Sequence, residues 1–258
     1  MRIATWNVNG LNARLAFLQH WLEDRQPDVV GLQEIKMVDD QFPHLDLQAA
    51  GYQAVSFGQK SWNGVAILAR QEVEVISRGL PGQEEFGARL LHGRLPELDF
   101  MTLYCPNGKN LENEDYARKL AWFDSLASHL EEVVDPSRPT ILGGDFNICP
   151  TPLDSWDESR HEGDIFHTDK ERSRLQKIFD LGFTDAYRNL HPDTQAFSWW
   201  DYRGGAFHKK QGLRIDFLLA NEPALKRTTS VEIDRDYRKK KDGLSASDHA
   251  PVMADLSL

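Results

Sequence analysis

Residues 143–150 read Gly-Gly-Asp-Phe-Asn-Ile-Cys-Pro. They follow residues 139–142, Pro-Thr-Ile-Leu, a short apolar run with the character of a buried strand. In an extended chain, residues two apart share a face, so Asp145 and Asn147 are expected to point the same way. One reading is a simple turn, because Asp and Asn are common turn formers. The other is a polar pair aimed into a site at the mouth of a strand. The rest of the chain decides between them.

With 258 residues, 40% hydrophobic and 27% charged, the chain has the composition of an ordinary globule with a sizeable core. No apolar run approaches the length of a membrane span, so no membrane partner is expected. Residues 1–10 carry no export-type apolar leader, and a cytoplasmic location is expected. The two cysteines, Cys105 and Cys149, are then free thiols rather than a disulfide. A net charge of −10 argues weakly against indiscriminate nucleic-acid binding. Yet residues 203–210 and 238–241 are basic loop-like patches, and such runs are most often solvated surface.

Strands are expected at residues 2–6, 29–32, 65–68, 100–104, 213–220 and 252–256. A helix capped by Asn12 should show Leu15, Leu18, Trp21 and Leu22 on one face. Residues 114–134 form a second helix, with Tyr116, Leu120, Phe123, Leu126 and Leu130 at helical spacing. Thr168 and Glu171 make a capping box for a third, which Gly182 ends. Trp-Asn-Val-Asn at 6–9 and Gly-Asp-Phe-Asn at 144–147 echo each other half a chain apart, with no linker between. The expectation is a single domain over 1–258 with similar halves, about 1–136 and 137–258. The layers run helix, sheet, sheet, helix: an α/β (α+β) four-layer sandwich of two packed mixed sheets.

Polar residues recur just after the apolar strands: Asn7, Glu34, Tyr104, Asp145, Asn147, Asp216, Asp248 and His249. Asp216 lies between Ile215 and Phe217-Leu218-Leu219, where a carboxylate is not left unpaired. Each residue has a dull explanation alone; Glu34, for instance, could simply pair with Lys36. Gathered together, they make a cleft rich in oxygen donors with one imidazole, which suits metal-assisted phosphoester hydrolysis. Mg²⁺ or Mn²⁺ fits such donors, and no zinc-type Cys/His spacing or Walker loop is present.

The chain resembles the exonuclease III family of DNA-repair nucleases, within the endonuclease/exonuclease/phosphatase superfamily. The resemblance rests on TWNVNGL (5–11), PDVVGLQEIK (27–36), NGVAIL (63–68), YCPNGK (104–109), GGDFNICP (143–150), SWWDYR (198–203), LRIDFLLA (213–220) and SASDHAPV (245–252). SWWDYR and LRIDFLLA favour the nuclease branch over lipid phosphatases. The resemblance implies the same four-layer fold and a site at one edge of the paired sheets. It implies that Asp145 orients or deprotonates the attacking water and that Asn147 binds the scissile phosphate. Asn7, Glu34, Asp145, Asn147, Asp248 and His249 would form the metal region. An Asp216–His249 pair would contact the phosphate, and Tyr104 and Asn107 would shape the site. DNA contacts are implied for Lys109, Arg118, Lys119 and the Arg203 loop, with Trp199 walling a pocket for an extruded abasic sugar. One of Trp199 and Trp200 is expected to be core.

The expected partner is duplex DNA bearing abasic sites, nicks or 3′ ends, bound by a monomer. A lipid or small-molecule phosphodiesterase shares the core residues, but the basic loop and Trp199 argue against it. A silent nucleic-acid-binding regulator would be expected to lack Glu34, Asp145 or His249. One departure from the family pattern stands out. Anchored on Glu171-Arg172, Phe166 falls where the family has a small residue, and His167 where it has an aromatic one. A phenyl ring there is expected to narrow the sugar pocket and bias activity toward 3′ ends, unless the loop shifts; the alternative is that Phe166 points elsewhere and serves as a packing contact.

Overall fold

The computed structural model describes residues 1–257 and contains two six-stranded mixed sheets. In spatial order the first holds Thr228–Ile233, Val252–Leu256, Arg2–Asn7, Val29–Gln33, Val65–Ala69 and Gln53–Phe57. The second holds Glu74–Arg78, Leu90–Arg94, Asp99–Tyr104, Thr140–Asp145, Asp216–Ala220 and Thr184–Asp185. Each sheet is antiparallel except for one central parallel pair: Arg2–Asn7 with Val29–Gln33, and Asp99–Tyr104 with Thr140–Asp145. The echo between residues 6–9 and 144–147 thus marks the ends of two equivalent central strands. The sequence halves are not the sheets, however. Residues 2–69 and 228–256 build the first sheet, and residues 74–220 the second.

Strand alternation sorts the core into three layers. Ile3, Val29, Ile67, Phe100, Ile141 and Leu218 meet between the sheets. Ala4, Trp6, Leu32 and Leu68 face the other way, under Phe17, Leu18 and Trp21 of the helix Leu11–Arg25. Met101, Leu103, Leu142 and Phe217 lie under Trp122, Phe123 and Leu126 of the helix Glu114–Val133. The result is the expected αββα sandwich. Glycine is needed at two central positions, Gly31 for close approach of the two sheets and Gly144 for close approach of neighbouring strands within the second sheet. A Cβ on Gly31 would sit 2.7 Å from Thr102 Oγ1, and one on Gly144 2.1 Å from the Leu103 carbonyl oxygen.

Three local expectations change. Asn12 does not cap the first helix; Gly10 precedes it at φ 98. Gly10 N–H and Leu11 N–H instead donate to the carbonyls of Glu34 and Ile35, so a neighbouring loop satisfies the helix start. The strand expected at 213–220 is regular only from Asp216, because Arg214 turns inward to a buried pairing with Asp154 and Asp185. Gln53–Phe57, Glu74–Arg78, Leu90–Arg94, Thr184–Asp185 and Thr228–Ile233 were not anticipated; four of them are sheet edges and Leu90–Arg94 lies beside one, and exposed positions in Gln53–Phe57, Glu74–Arg78 and Thr228–Ile233 break the apolar signal. The Thr168–Glu171 capping box forms as expected, with both reciprocal bonds.

Cys105 and Cys149 are free, fully enclosed thiols. Burial pushes both above the ordinary thiol range, which makes them inert. A thiol reagent is therefore expected to count two groups in denatured, non-reduced protein and almost none in native protein. A denatured count of zero in fresh protein would establish a disulfide instead.

Candidate active site

The inter-sheet layer turns polar at one end. Along Arg2–Asn7 the inward positions are Ile3, Thr5 and Asn7; along Thr140–Asp145 they include Ile141 and Asp145. Gln33 bridges the sheets there, donating from Nε2 to Thr5 Oγ1 (2.9 Å) and Thr102 Oγ1 (2.8 Å). Cross-strand register sets Asp145 opposite both Asp216 and Tyr104. Side chains far apart in sequence are thus brought to one rim by strand period and register alone.

Loops complete the rim, and their backbones are unusual. Asn9, Glu34, Lys36, Lys109, Asn147 and Phe166 all adopt positive φ. Left-handed conformations cost energy in residues with a Cβ and persist where surroundings over-determine them, as at functional sites. Asn147 resolves the opening question. Its φ of 52 ends the extended run, and its N–H donates to Asp145 Oδ1 at 3.0 Å. The pair is both the dull turn and part of the site. Asn147 Nδ2 donates to the Cys105 carbonyl (3.0 Å), and its Oδ1 accepts from Asn107 Nδ2 (3.4 Å).

Three ligand atoms, one each from Glu34, Asp145 and His249, lie within 4.8 Å of one another. Asn7 sits between the acids, donating from Nδ2 to Glu34 Oε1 (2.7 Å) and Asp145 Oδ2 (2.9 Å). Its own Oδ1 accepts from Asn9 N–H (2.9 Å), so Asn7 links the two acids to the loop that follows its strand. His249 Nδ1 bonds Asp216 Oδ2 at 2.9 Å, and its Nε2 faces Asp145 Oδ2 at 3.8 Å. Ser198 Oγ donates to Asp216 Oδ2 at 2.6 Å and anchors the strand start.

Burial, then the charges of Asp216 and Glu34, push the Asp145 carboxyl up to about 8. Burial alone would make His249 neutral, but Asp216, Asp145 and Asp248 outweigh it and raise the imidazole to about 10. Burial and the neighbouring Glu34 and Asp145 push the Tyr104 phenol well up, keeping it a neutral donor. Carboxylate oxygens crowded until one resists ionisation, with a single imidazole, suit a hard divalent cation. The cluster could hold a metal ion.

Other residues singled out in the sequence lie outside the three-ligand group. Asp248 does not join the three-ligand group; its carboxylate accepts from Asn9 Nδ2 (2.8 Å) and Trp199 Nε1 (3.0 Å). It holds the indole rather than the cluster. Lys119 is no surface DNA contact: it is fully enclosed and paired with Glu171. His167 is buried and turned away, its ring nitrogens meeting Ser155 Oγ and the Ile165 carbonyl. Trp200 is core, while half-buried Trp199 lies 6.5 Å from the His249 ring. Lys109 and Arg118 stay at the surface, paired to Asp115 and Glu85, and line a 570 Å³ cavity with Tyr104 and Asn107. Arg203 is exposed and paired with Asp201.

Some residues at the site went unsingled. Lys36 Nζ reaches both Glu34 Oε2 (2.9 Å) and Asn9 Oδ1 (2.6 Å), so the dull Glu34–Lys36 pairing exists within the site. Arg89 lies 4.8 Å over the Tyr104 ring in the same cavity. Both come from segments with little periodic signal.

The endonuclease/exonuclease/phosphatase family model matches residues 4–249. The chain belongs to this family. The exodeoxyribonuclease III of Haemophilus influenzae is 37% identical over 99% of this chain and 100% of that one. The Bacillus subtilis exodeoxyribonuclease is 32% identical over 98% of each. An AP endonuclease from Archaeoglobus fulgidus superposes with a TM-score of 0.95 at 32% identity over the whole of both chains. A 3′-5′ exonuclease from Neisseria meningitidis does so with a TM-score of 0.95 at 36% identity, again over both whole chains. The chain is a DNA-repair nuclease of the exonuclease III type, a hydrolytic enzyme. Among the described residues, no helix of the nuclease is long and apolar enough to cross a membrane.

Glu34→Ala and His249→Ala are each expected to lower nuclease turnover by about 10² to 10³ with the fold intact, since each removes one charged contact from the cluster. Near-wild-type turnover of either folded variant would overturn the assignment. A second expectation concerns pH. A folded pKa above the ordinary value near 6.5 means that the His249 contact stabilises fully below that pH and fades as pH rises toward about 10. In metal-free protein, the His249 ring should stay protonated at pH 8 by NMR, and Asp216→Asn should lower its pKa by more than about one unit.

Proposed function

We propose that the nuclease acts chiefly at the 3′ ends of duplex DNA. It removes nucleotides 3′→5′ and clears blocked termini, and abasic incision is its slower activity. The observation that carries this reading is Phe166. Its backbone is fixed at φ 74, and its ring packs with Trp199 against the small cluster of Cys149, Leu213 and Ile215. A base-free sugar extruded from a duplex needs volume beside Trp199, and the phenyl ring takes volume there. A terminal nucleotide needs less extrusion and is less affected. The likeness to a Neisseria enzyme described both as a 3′-5′ exonuclease and as a 3′ phosphatase bound to a product DNA hairpin supports the same reading.

In this mechanism Asp145 orients the attacking water and accepts its proton, a role that contributes about 10² to 10⁴ in rate. Asn7 keeps Asp145 and Glu34 apart and aligned. The His249 imidazolium, held by Asp216, donates from Nε2 to a phosphate oxygen as charge builds there. Asn147 and Asn107 receive the phosphate, and Tyr104, kept neutral, donates a hydrogen bond from its phenolic O–H to a phosphate oxygen at the rim. Glu34 and Asp145 would hold a divalent cation, Mg²⁺ or Mn²⁺ on the chemistry of the donors, which would supply positive charge to the phosphate oxygens. Lys109, Arg118 and Arg203 meet the DNA backbone, so binding weakens with salt. The enzyme works as a monomer.

Labelled duplexes carrying an abasic analogue, a nick or a recessed 3′ end test this directly, with and without EDTA. The recessed end and the nick should be processed faster than the abasic strand is cut, and EDTA should stop all three. Phe166→Gly should raise the ratio of abasic incision to 3′ removal by about tenfold, the order expected for a relieved pocket clash. Faster abasic incision by the unaltered enzyme, or an unchanged ratio in the variant, would show the reading wrong.

A further inference from the structure

A buried ion pair outside the cluster of Glu34, Asp145 and His249 joins two parts of the site that sequence order keeps apart. Lys119, on the helix Glu114–Val133, is fully enclosed. Its ammonium has three donors and three acceptors: Glu171 Oε1 (2.5 Å), the Asn147 carbonyl (2.7 Å) and the Asn107 carbonyl (3.3 Å). Glu171, equally enclosed, spends its remaining capacity on the loop before its own helix. Oε1 accepts from Phe166 N–H (3.1 Å), and Oε2 accepts from Thr168 N–H (3.1 Å) and Thr168 Oγ1 (2.8 Å). The Lys119 ammonium also lies 4.8 Å from the centroid of the Phe166 ring.

Both residues at the ends of this link are strained. Asn147 and Phe166 hold φ 52 and φ 74. Relaxation of either would move a side chain that faces the substrate. A buried charge pair is weak evidence for stability, because desolvation offsets most of its attraction. Its geometry here fixes position instead: one cation holds the two carbonyls of Asn107 and Asn147, and its carboxylate partner holds the N–H of Phe166.

We propose that Lys119 and Glu171 are positioning residues that set substrate preference by locking the Phe166 wall to the Asn107–Asn147 phosphate clamp. This rests on the reading of Phe166 given above. With the lock intact, the clamp is ordered and the wall stands in the sugar pocket. With it broken, the clamp loosens, slowing 3′-end removal, and the wall can swing away, easing abasic incision.

Removing one partner strands a charge in the interior, so the main test removes both, as Lys119→Met/Glu171→Leu. Folding is checked by circular dichroism and cooperative melting. For the folded double variant, kcat at a recessed 3′ end should fall about tenfold while KM stays within about twofold, as for a small misplacement of a binding group. The abasic-to-3′ ratio should rise toward that of Phe166→Gly. Adding Phe166→Gly to the double variant should then change the ratio little, because the wall is already free. Glu171→Gln, which keeps shape and loses charge, should shift the ratio in the same direction, and it decides the matter if the double variant does not fold. A folded variant with the unaltered ratio, or an equal effect of Phe166→Gly in both backgrounds, overturns the proposal. If Phe166→Gly alone leaves the ratio unchanged, the reading of Phe166 fails, and the proposal fails with it.

Discussion

Two aspartates, Asp145 and Asp216, sit opposite each other at the end of a dry layer between two sheets. The rest of the site depends on how that charge is tolerated. Taking an ionised carboxylate out of water costs several kcal/mol even after relaxation. Here the cost is offset by contacts from both sheets. His249 comes from the loop before Val252–Leu256 in the first sheet, and its ring bonds Asp216 in the second. Asn7, also from the first sheet, donates to Asp145 in the second. The catalytic pairings are therefore contacts between the sheets. The same contacts that make the site chemically useful hold the mouth of the sandwich together.

This arrangement explains why so many strand ends face one point. A strand alternates faces, so an apolar residue between the sheets at one position commits the residues two and four further on to the same space. Ile3, Thr5 and Asn7 show the progression from apolar to bridging to functional. Closeness of the sheets also matters. Gly31 permits contact with Thr102 and Phe100 of the other sheet, and Gly144 permits the close run past Leu103 of the neighbouring strand in its own sheet. Side chains there would push apart the strands that carry Gln33, Tyr104 and Asp145. The positive φ values of Asn9, Glu34, Lys36 and Asn147 show the loops bending back over the rim.

Much of this was legible in the sequence, and the losses have physical causes. Central strands and long helices were readable because burial on one or both faces leaves a clean period, as at Val29–Gln33 and Glu114–Val133. Glu74–Arg78 and Thr228–Ile233 were missed because their exposed faces and a register shift in each pairing dilute the signal. For the site, Asp216 could be inferred because a lone carboxylate in an apolar run demands a partner. Residue type alone could not show orientation. Lys119 is implied as a DNA contact and Glu171 reads only as half of a capping box, yet the two face each other fully enclosed. Asp248 and His167 also carry plausible chemistry but point elsewhere, one at Trp199 and the other at Ser155.

Asp248 and Lys119 play parallel parts in the site. Each is a charged residue set against an aromatic ring, Asp248 against Trp199 and Lys119 against Phe166, rather than in the cluster of Glu34, Asp145 and His249. Asp248 accepts from the Trp199 indole N–H and ties it to Asn9, which Lys36 connects back to Glu34. Lys119 lies over the Phe166 ring and connects it, through backbone carbonyls, to Asn107 and Asn147. Both aromatic side chains, Trp199 and Phe166, are thus wired to polar groups at the rim, Trp199 to Asn9 and Phe166 to Asn107 and Asn147. Substitutions that reshape one wall by removing its partner also disturb the chemistry. Phe166 itself is the exception: its ring makes no hydrogen bond, so that side chain can change without cutting the network. On physical grounds the variable element of such a site is the ring, and the charges behind it are the fixed frame.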